Sequence, residues 1–254
     1  MKLLSLSVRY IFSLAMLRGL ISYFKNYKIL VKNKRFKDLY KGETVVILGN
    51  GPSVNNDIEL VKSSQYVIVM NNFFKSEVLK DIKPVAYCVG EPVSSNAWSN
   101  PDHIINNSNA KSYWLHGSNI PAVKNLKNKD VQFVIPAIIP NSSGVIGSPA
   151  SVTLGFHTTA VLSIQIAIYL GFEDIRLVGF DHSWLATPTQ LAHFYSDTKD
   201  VDDVIGEMSY LDLIKSCESM WLQYLTIKKY AENTNILITN CTRGSYLDVF
   251  VKEI

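Results

Sequence analysis

Residues 44–56 read TVVILGNGPSVNN. Val45, Val46, Ile47 and Leu48 form an apolar run that is too short for a buried helix and suits a strand covered on both faces. The run stops at Gly49-Asn50-Gly51-Pro52-Ser53, a turn of two glycines, a proline and small polar side chains. Glycines at a strand end let the backbone come close to a ligand and turn its N–H groups outward, toward phosphate or ribose oxygens.

Working outward, short apolar strands alternate with helices. Asn56–Ser64 reads as a short helix, Tyr66–Phe73 as a second strand and Pro84–Pro92 as a third. KSYWLHG and VQFVIPAIIP are further strand candidates. His157–Phe172 reads as a helix started by Thr158 or Thr159 and stopped by Gly171, apolar nearly all round and therefore buried. Asp174–Asp181 is a buried strand, Ser209–Thr234 one long helix or two, and Asn235–Asn240 a last strand. This alternation predicts an α/β, Rossmann-like fold: a mostly parallel sheet with helices on both faces. Asn141–Leu154 reads as a loop lying over the site. Thr187–Gly206 is long and irregular, and such loops form a small lid.

Ligands of parallel sheets bind beyond the carboxyl ends of the strands. The strand ends here carry Gly49–Ser53, Asn71-Asn72, Gly90-Glu91, Gly179–His182 and Asn240–Thr242. Each of these ends offers hydrogen-bonding side chains, and asparagines in particular suit a nucleobase edge or a ribose diol. The first turn is neither GxGxxG nor a P-loop, because it lacks the third glycine and no Gly-Lys-Ser/Thr follows. Thr158 and Thr159 are either N-capping residues or, with the free N–H groups of the helix start, an anion site. His193 in LAHFYSD and His182 after Asp181 compete for the role of general base. The acidic run Asp200–Asp203 follows no apolar strand, so it reads as a solvated loop and not as a metal motif.

The chain has 254 residues, a formal net charge of +3 and an uneven charge distribution. Residues 1–41 hold ten Lys/Arg and one acid, Asp38, so the segment carries +9 and the remainder −6. An apolar stretch precedes the run Lys25–Lys41, but Arg9 and Arg18 interrupt it and leave only eight residues between them, too few to span a bilayer. The expectation is a membrane-associating, interfacial helix and polybasic segment over 1–41, on the cytoplasmic face of the inner membrane, followed by one catalytic domain over 42–254. The alternative is a helix packed on the domain or on another subunit, which leaves a homo-oligomer open. The acidic body and the scarcity of stacking aromatics in the basic run argue against nucleic acid. Three scattered cysteines suggest neither a disulfide framework nor a metal site.

VVILGNGPSVNN, VMNNFF, HTTAVLSIQIAIYLGFEDIRLVGFDHSW and NCTRGSYLDVF, in that order, resemble bacterial sialyltransferases of the Campylobacter lipooligosaccharide type. They also resemble the surrounding group of capsule and O-antigen proteins and 6-hydroxymethylpterin pyrophosphokinase-like enzymes. The resemblance covers about Thr44 to Phe250. It implies a CMP-sugar donor held by Asn50, Gly51, Ser53, Asn71, Thr158, Thr159 and Ser245, to which the strand-end pattern adds Gly49, Pro52 and Glu91. It implies a glycan or glycolipid acceptor and His193 as the base, while Asp181 and His182 stay catalytic candidates from their strand-end position; no metal cofactor is expected. The chain departs from the sialyltransferase pattern at Glu91-Pro92, Ala160 and Ser183, all around the donor sugar and acceptor. A pterin pyrophosphokinase-like enzyme and a non-catalytic scaffold of glycan assembly are the rival readings.

Overall fold

The computed structural model describes residues 21, 23–77, 82–92, 100–123, 129–137, 143–183, 186 and 209–253. Its strands are β1 (Thr44–Leu48), β2 (Val67–Met70), β3 (Ala86–Val89), β4 (Tyr113–His116), β5 (Val131–Val134), β6 (Pro136–Ala137), β7 (Thr153–Leu154), β8 (Asp174–Val178), β9 (Leu237–Asn240) and β10 (Val251–Lys252). The helices used below are α1 (Ile58–Ser63), α2 (Pro101–Asn107), α3 (Thr159–Leu170) and α4 (Tyr210–Thr234).

Eight strands form one sheet in the order β10-β9-β8-β1-β2-β3-β4-β5, every pair parallel. From β1 the chain builds outward to β5. It then returns through α3 to the other side of β1, where Val46 lies opposite Arg176 of β8 and Val67 of β2. That reversal makes the β1/β8 seam the topological switch point, where such sheets leave a crevice beyond the strand ends. β6 and β7 form a separate parallel pair that leads the chain to α3.

The pleat sends alternate side chains to two cores. Ile47, Ile68, Met70, Cys88 and Trp114 enter one, covered by Leu162 and Ile166 of α3 and Tyr224 and Ile227 of α4. Val46, Leu48, Val69, Tyr87 and Leu115 enter the other, covered by Val61 of α1 and Ile104 and Ile105 of α2. The predicted helices on both faces are therefore present. α3 is buried at every position but Ala160, starts at the Thr158 cap and stops at Gly171 with φ +95°. α4 is one continuous helix of 25 residues, capped by Ser209 and ended by Asn235 in the left-handed region.

Three expectations change. The second strand stops at Met70, and Asn71–Lys75 coil into a 3₁₀ turn; β8 likewise stops at Val178. The segment 143–154 does not lie over the strand ends. Ile146–Pro149 border a small cavity with Lys37, Gln165 and Tyr169, beside the C-terminal half of α3, and only β7 climbs toward the helix start. The boundary expected at residue 42 also falls inside packed structure. Leu30 is fully buried, Phe36 meets Trp114 edge-on at 5.2 Å, and Tyr40 stacks on Phe172 at 4.9 Å. Backbone bonds from Asp38, Tyr40 and Gly42 to Tyr169, Leu170 and Gly171 tie this segment to the end of α3. Burying a side chain such as Leu30 or Phe36 contributes about 1.5–3 kcal/mol each, so residues 30–41 belong to the body.

Candidate active site at the sheet switch point

The ends of β1 and β8 are locked together by glycines. Gly49 N–H donates to Val178 O at 2.7 Å and Gly51 N–H to Gly179 O at 3.0 Å. Gly179 has φ +75°, which favours glycine, and a Cβ there would strike Val54. A Cβ on Gly51 would run into the Asp181 carboxylate. The second glycine of the turn is thus required by the neighbouring strand end, whatever ligand approaches it.

Asp181 receives Ser53 from two directions: the backbone N–H at 3.3 Å and the hydroxyl at 2.8 Å. Burial pushes its carboxyl pKa up, the two Ser53 bonds oppose that shift, and the nearby Asp57 charge adds to it. Asp57 itself is paired with Arg243 at 3.5 Å. The chain order here is strand, tight turn, short 3₁₀ helix (Pro52–Asn56), with Ser53 bridging to the next strand's acid.

Across the seam, the Thr159 hydroxyl donates to Asn71 Oδ1 at 2.8 Å and accepts from Gly90 N–H at 3.0 Å. One side chain therefore pins the start of α3 to the ends of β2 and β3. Asn71 is held at φ +50°, and Tyr87 clamps the turn: its hydroxyl donates to Asn71 O at 2.5 Å and accepts from Phe74 N–H at 3.0 Å. His182, just past β8, has φ +51°. Left-handed non-glycine residues are sparsely populated and cluster at functional sites. Two of them follow the strands that flank β1.

His182 is buried and its Nε2 lies 2.9 Å from the Tyr224 hydroxyl. Phe180, Trp221 and Tyr224 surround its ring. Burial pushes its pKa down to about 3, so it is neutral at pH 7. Such a residue orients what it touches. His157, at the lip of α3, has its N–H fixed by Gln223 Oε1 at 2.9 Å, and burial lowers its pKa.

The other expected residues fall as follows. Thr158 is the N-cap of α3, its hydroxyl accepting from Val161 N–H at 3.4 Å. Asn50 and Glu91 are half-buried at their strand ends, and the Glu91 carbonyl accepts from Asn119. Pro52 opens the 3₁₀ turn and is exposed. Ser245 is buried: it donates to Phe180 O at 2.5 Å and accepts from Asn240 and Leu247, so its hydroxyl is spent on holding the C-terminal turn under β8. His193 lies outside the described residues. Sequence reasoning missed Tyr87, Trp221, Gln223 and Tyr224. The signal for the α4 group is the run Trp221–Tyr224 in the middle of a long helix, where polar-tipped aromatics three apart share a face.

Among the described residues no group of three His, Cys, Asp or Glu could hold a metal ion, and no helix is long and apolar enough to cross a membrane. The three cysteines are buried and free.

A search of curated proteins finds no match. Among solved structures, the MAf glycosyltransferase from Magnetospirillum magneticum AMB-1 superposes with a TM-score of 0.51 at 16% identity, over 89% of this chain and 38% of that one. The chain therefore spans well under half the length of that protein, and the likeness is one of fold. The family model described as 6-hydroxymethylpterin diphosphokinase MptE-like matches residues 21–187, and this takes in both the basic segment and the glycine turn. The match covers well over half of the sequence, from just before the N-terminal basic run to beyond β8, and the chain belongs to this MptE-like family.

Proposed function

We propose that the chain is a glycosyltransferase that takes a nucleotide-activated sugar at the β1/β8 switch point, most simply a CMP-linked nonulosonic acid. The observation that carries this reading is the convergence of polar strand ends at the switch point, where such sheets bind their ligands. The Gly49–Ser53 turn sits on one side, and Asn71, Gly90 and the start of α3 sit on the other, wired together through Thr159. A buried 12-residue helix presents its first N–H groups there, as an anionic phosphate requires. The structural neighbour's description as a glycosyltransferase supports the reaction class.

In the proposed reaction a base takes the proton of the acceptor hydroxyl while that oxygen attacks the anomeric carbon. The bond from that carbon to the phosphate oxygen breaks, configuration inverts, and CMP leaves with the electron pair. The α3 N–H groups stabilise the leaving phosphate. His193, from the segment between β8 and α4, is the proposed base. Asp181, held by Ser53, shapes the floor of the site. The acceptor is a surface glycan such as lipooligosaccharide, capsule or O-antigen.

The family model favours a second reading, a diphosphokinase acting on a pterin-like alcohol with ATP. One experiment separates the two. The full chain is incubated with CMP-sugars and a glycan acceptor, with and without EDTA, and in parallel with ATP, magnesium and a hydroxymethylpterin. Acceptor-dependent release of CMP that survives EDTA supports the transferase. AMP release with pterin alone replaces it with the diphosphokinase.

A further inference from the structure

Residues 23–30 form a helix that runs into the 3₁₀ turn Val31–Phe36. One side of this segment belongs to the body. Ile29 packs on the core beneath α1 and α2, and Leu30 is fully buried. Asn33 donates to Phe133 O at 2.9 Å and Pro149 O at 2.8 Å. At 100° per residue, the opposite side gathers Ile21, Phe24, Lys25, Lys28 and Lys32 into about a third of the circumference. Ile21 is 58% exposed and Phe24 73% exposed, with Tyr27 at the margin. The three lysines are exposed, and none of them pairs with an acid among the described residues. Seven Lys/Arg and one acid occupy residues 21–41.

We propose that this helix face is a docking surface for an anionic lipid bilayer. The docked side of the helix fixes which residues look outward, and those residues alternate large apolar groups with ammonium groups. Isoleucine and phenylalanine enter the acyl boundary while the lysine stems lie along it and their ammonium groups reach lipid phosphates. A second protein copy fits the same face poorly, because the centres of protein interfaces are depleted in lysine. The acidic remainder of the chain disfavours a nucleic acid. The inference stands on exposure and charge alone and is independent of the nucleotide reading.

The test uses the full chain in flotation with vesicles of pure phosphatidylcholine and vesicles that also contain phosphatidylglycerol, at low and high salt. Binding is expected to anionic vesicles only and to weaken with salt. Removing three cations near an anionic surface weakens such binding by about a hundredfold, so K25Q/K28Q/K32Q is expected to lose at least that much. Phe24→Ser is expected to detach the chain while leaving its melting temperature unchanged, because the ring is exposed. Anionic binding unchanged in both variants overturns the proposal. So does equal binding to neutral vesicles, or a dimer in light scattering that Phe24→Ser dissolves.

Discussion

At the scale of single residues, the site is built from contacts that leave little freedom. Gly51→Ala puts a methyl group against the Asp181 carboxylate, which must move and drag Ser53 with it. Nucleotide binding measured by calorimetry is expected to weaken by about tenfold or more. Thr159→Val strands the Gly90 N–H and the Asn71 carbonyl, at about 1–3 kcal/mol; the melting temperature is expected to fall by several degrees, and Thr159→Ser to recover most of it. His182 carries a pH dependence. Its pKa is near 3 folded and 6.5 unfolded, so between those values the unfolded chain binds a proton that the folded chain refuses. Stability is therefore full above pH 6.5 and is lost as pH falls, at up to about 1.4 kcal/mol per pH unit for this one site. His116 and His157 shift in the same direction, while the raised Asp181 pKa acts in the opposite sense. The expected result is that His182→Gln flattens the slope of melting temperature against pH between 7 and 5; an unchanged slope refutes the buried neutral histidine.

At the scale of elements, the sequence makes some features plain and hides others. The strands were legible because residues such as Val45–Leu48 are apolar on both faces, and α3 because its apolar surface runs between a threonine cap and a glycine stop. Element ends were less legible. Asn71 and Asn72 continue the apolar pattern of β2 into Phe73 and Phe74, yet the left-handed Asn71 turns the chain at Met70, a backbone choice that periodicity does not register. Asn141–Leu154 looked like a loop over the site because it runs straight into the start of α3 in sequence. In space the parallel β6–β7 pair sets its far end beside Gln165 and Tyr169, near the other end of the helix. That the ends of β1, β2, β3 and β8 gather at one end of the sheet was legible from the sheet rule alone. The α4 contribution was not, because Tyr224 reaches His182 across 42 residues and no local pattern encodes that pairing. Truncating a fully buried α3 side chain tests the packing: Leu162→Ala is expected to cost about 2–5 kcal/mol, read as a lower denaturation midpoint at constant slope.

At the scale of the molecule, the chain connections diverge at the β1/β8 seam, which sets the candidate site beyond the ends of the central strands, and the N-terminal segment braces the far end of α3. Asp38, Tyr40 and Gly42 bond to the last residues of α3 and the glycine that stops it, while its first residue, Thr159, is tied to the ends of β2 and β3. A chain begun at residue 42 loses Leu30, Phe36 and Tyr40 from the packed body. It is expected to melt well below a chain begun at residue 21, and equal melting temperatures would contradict the packing of residues 30–41. The central claim is that a nucleotide occupies the switch point, and a crystal structure of the full chain with CMP tests it most directly. The predicted result is nucleotide density between the Gly49–Ser53 turn and the start of α3, with the phosphate on the first N–H groups of that helix. CMP bound elsewhere on the molecule, or a crevice that stays empty at saturating CMP, would contradict it.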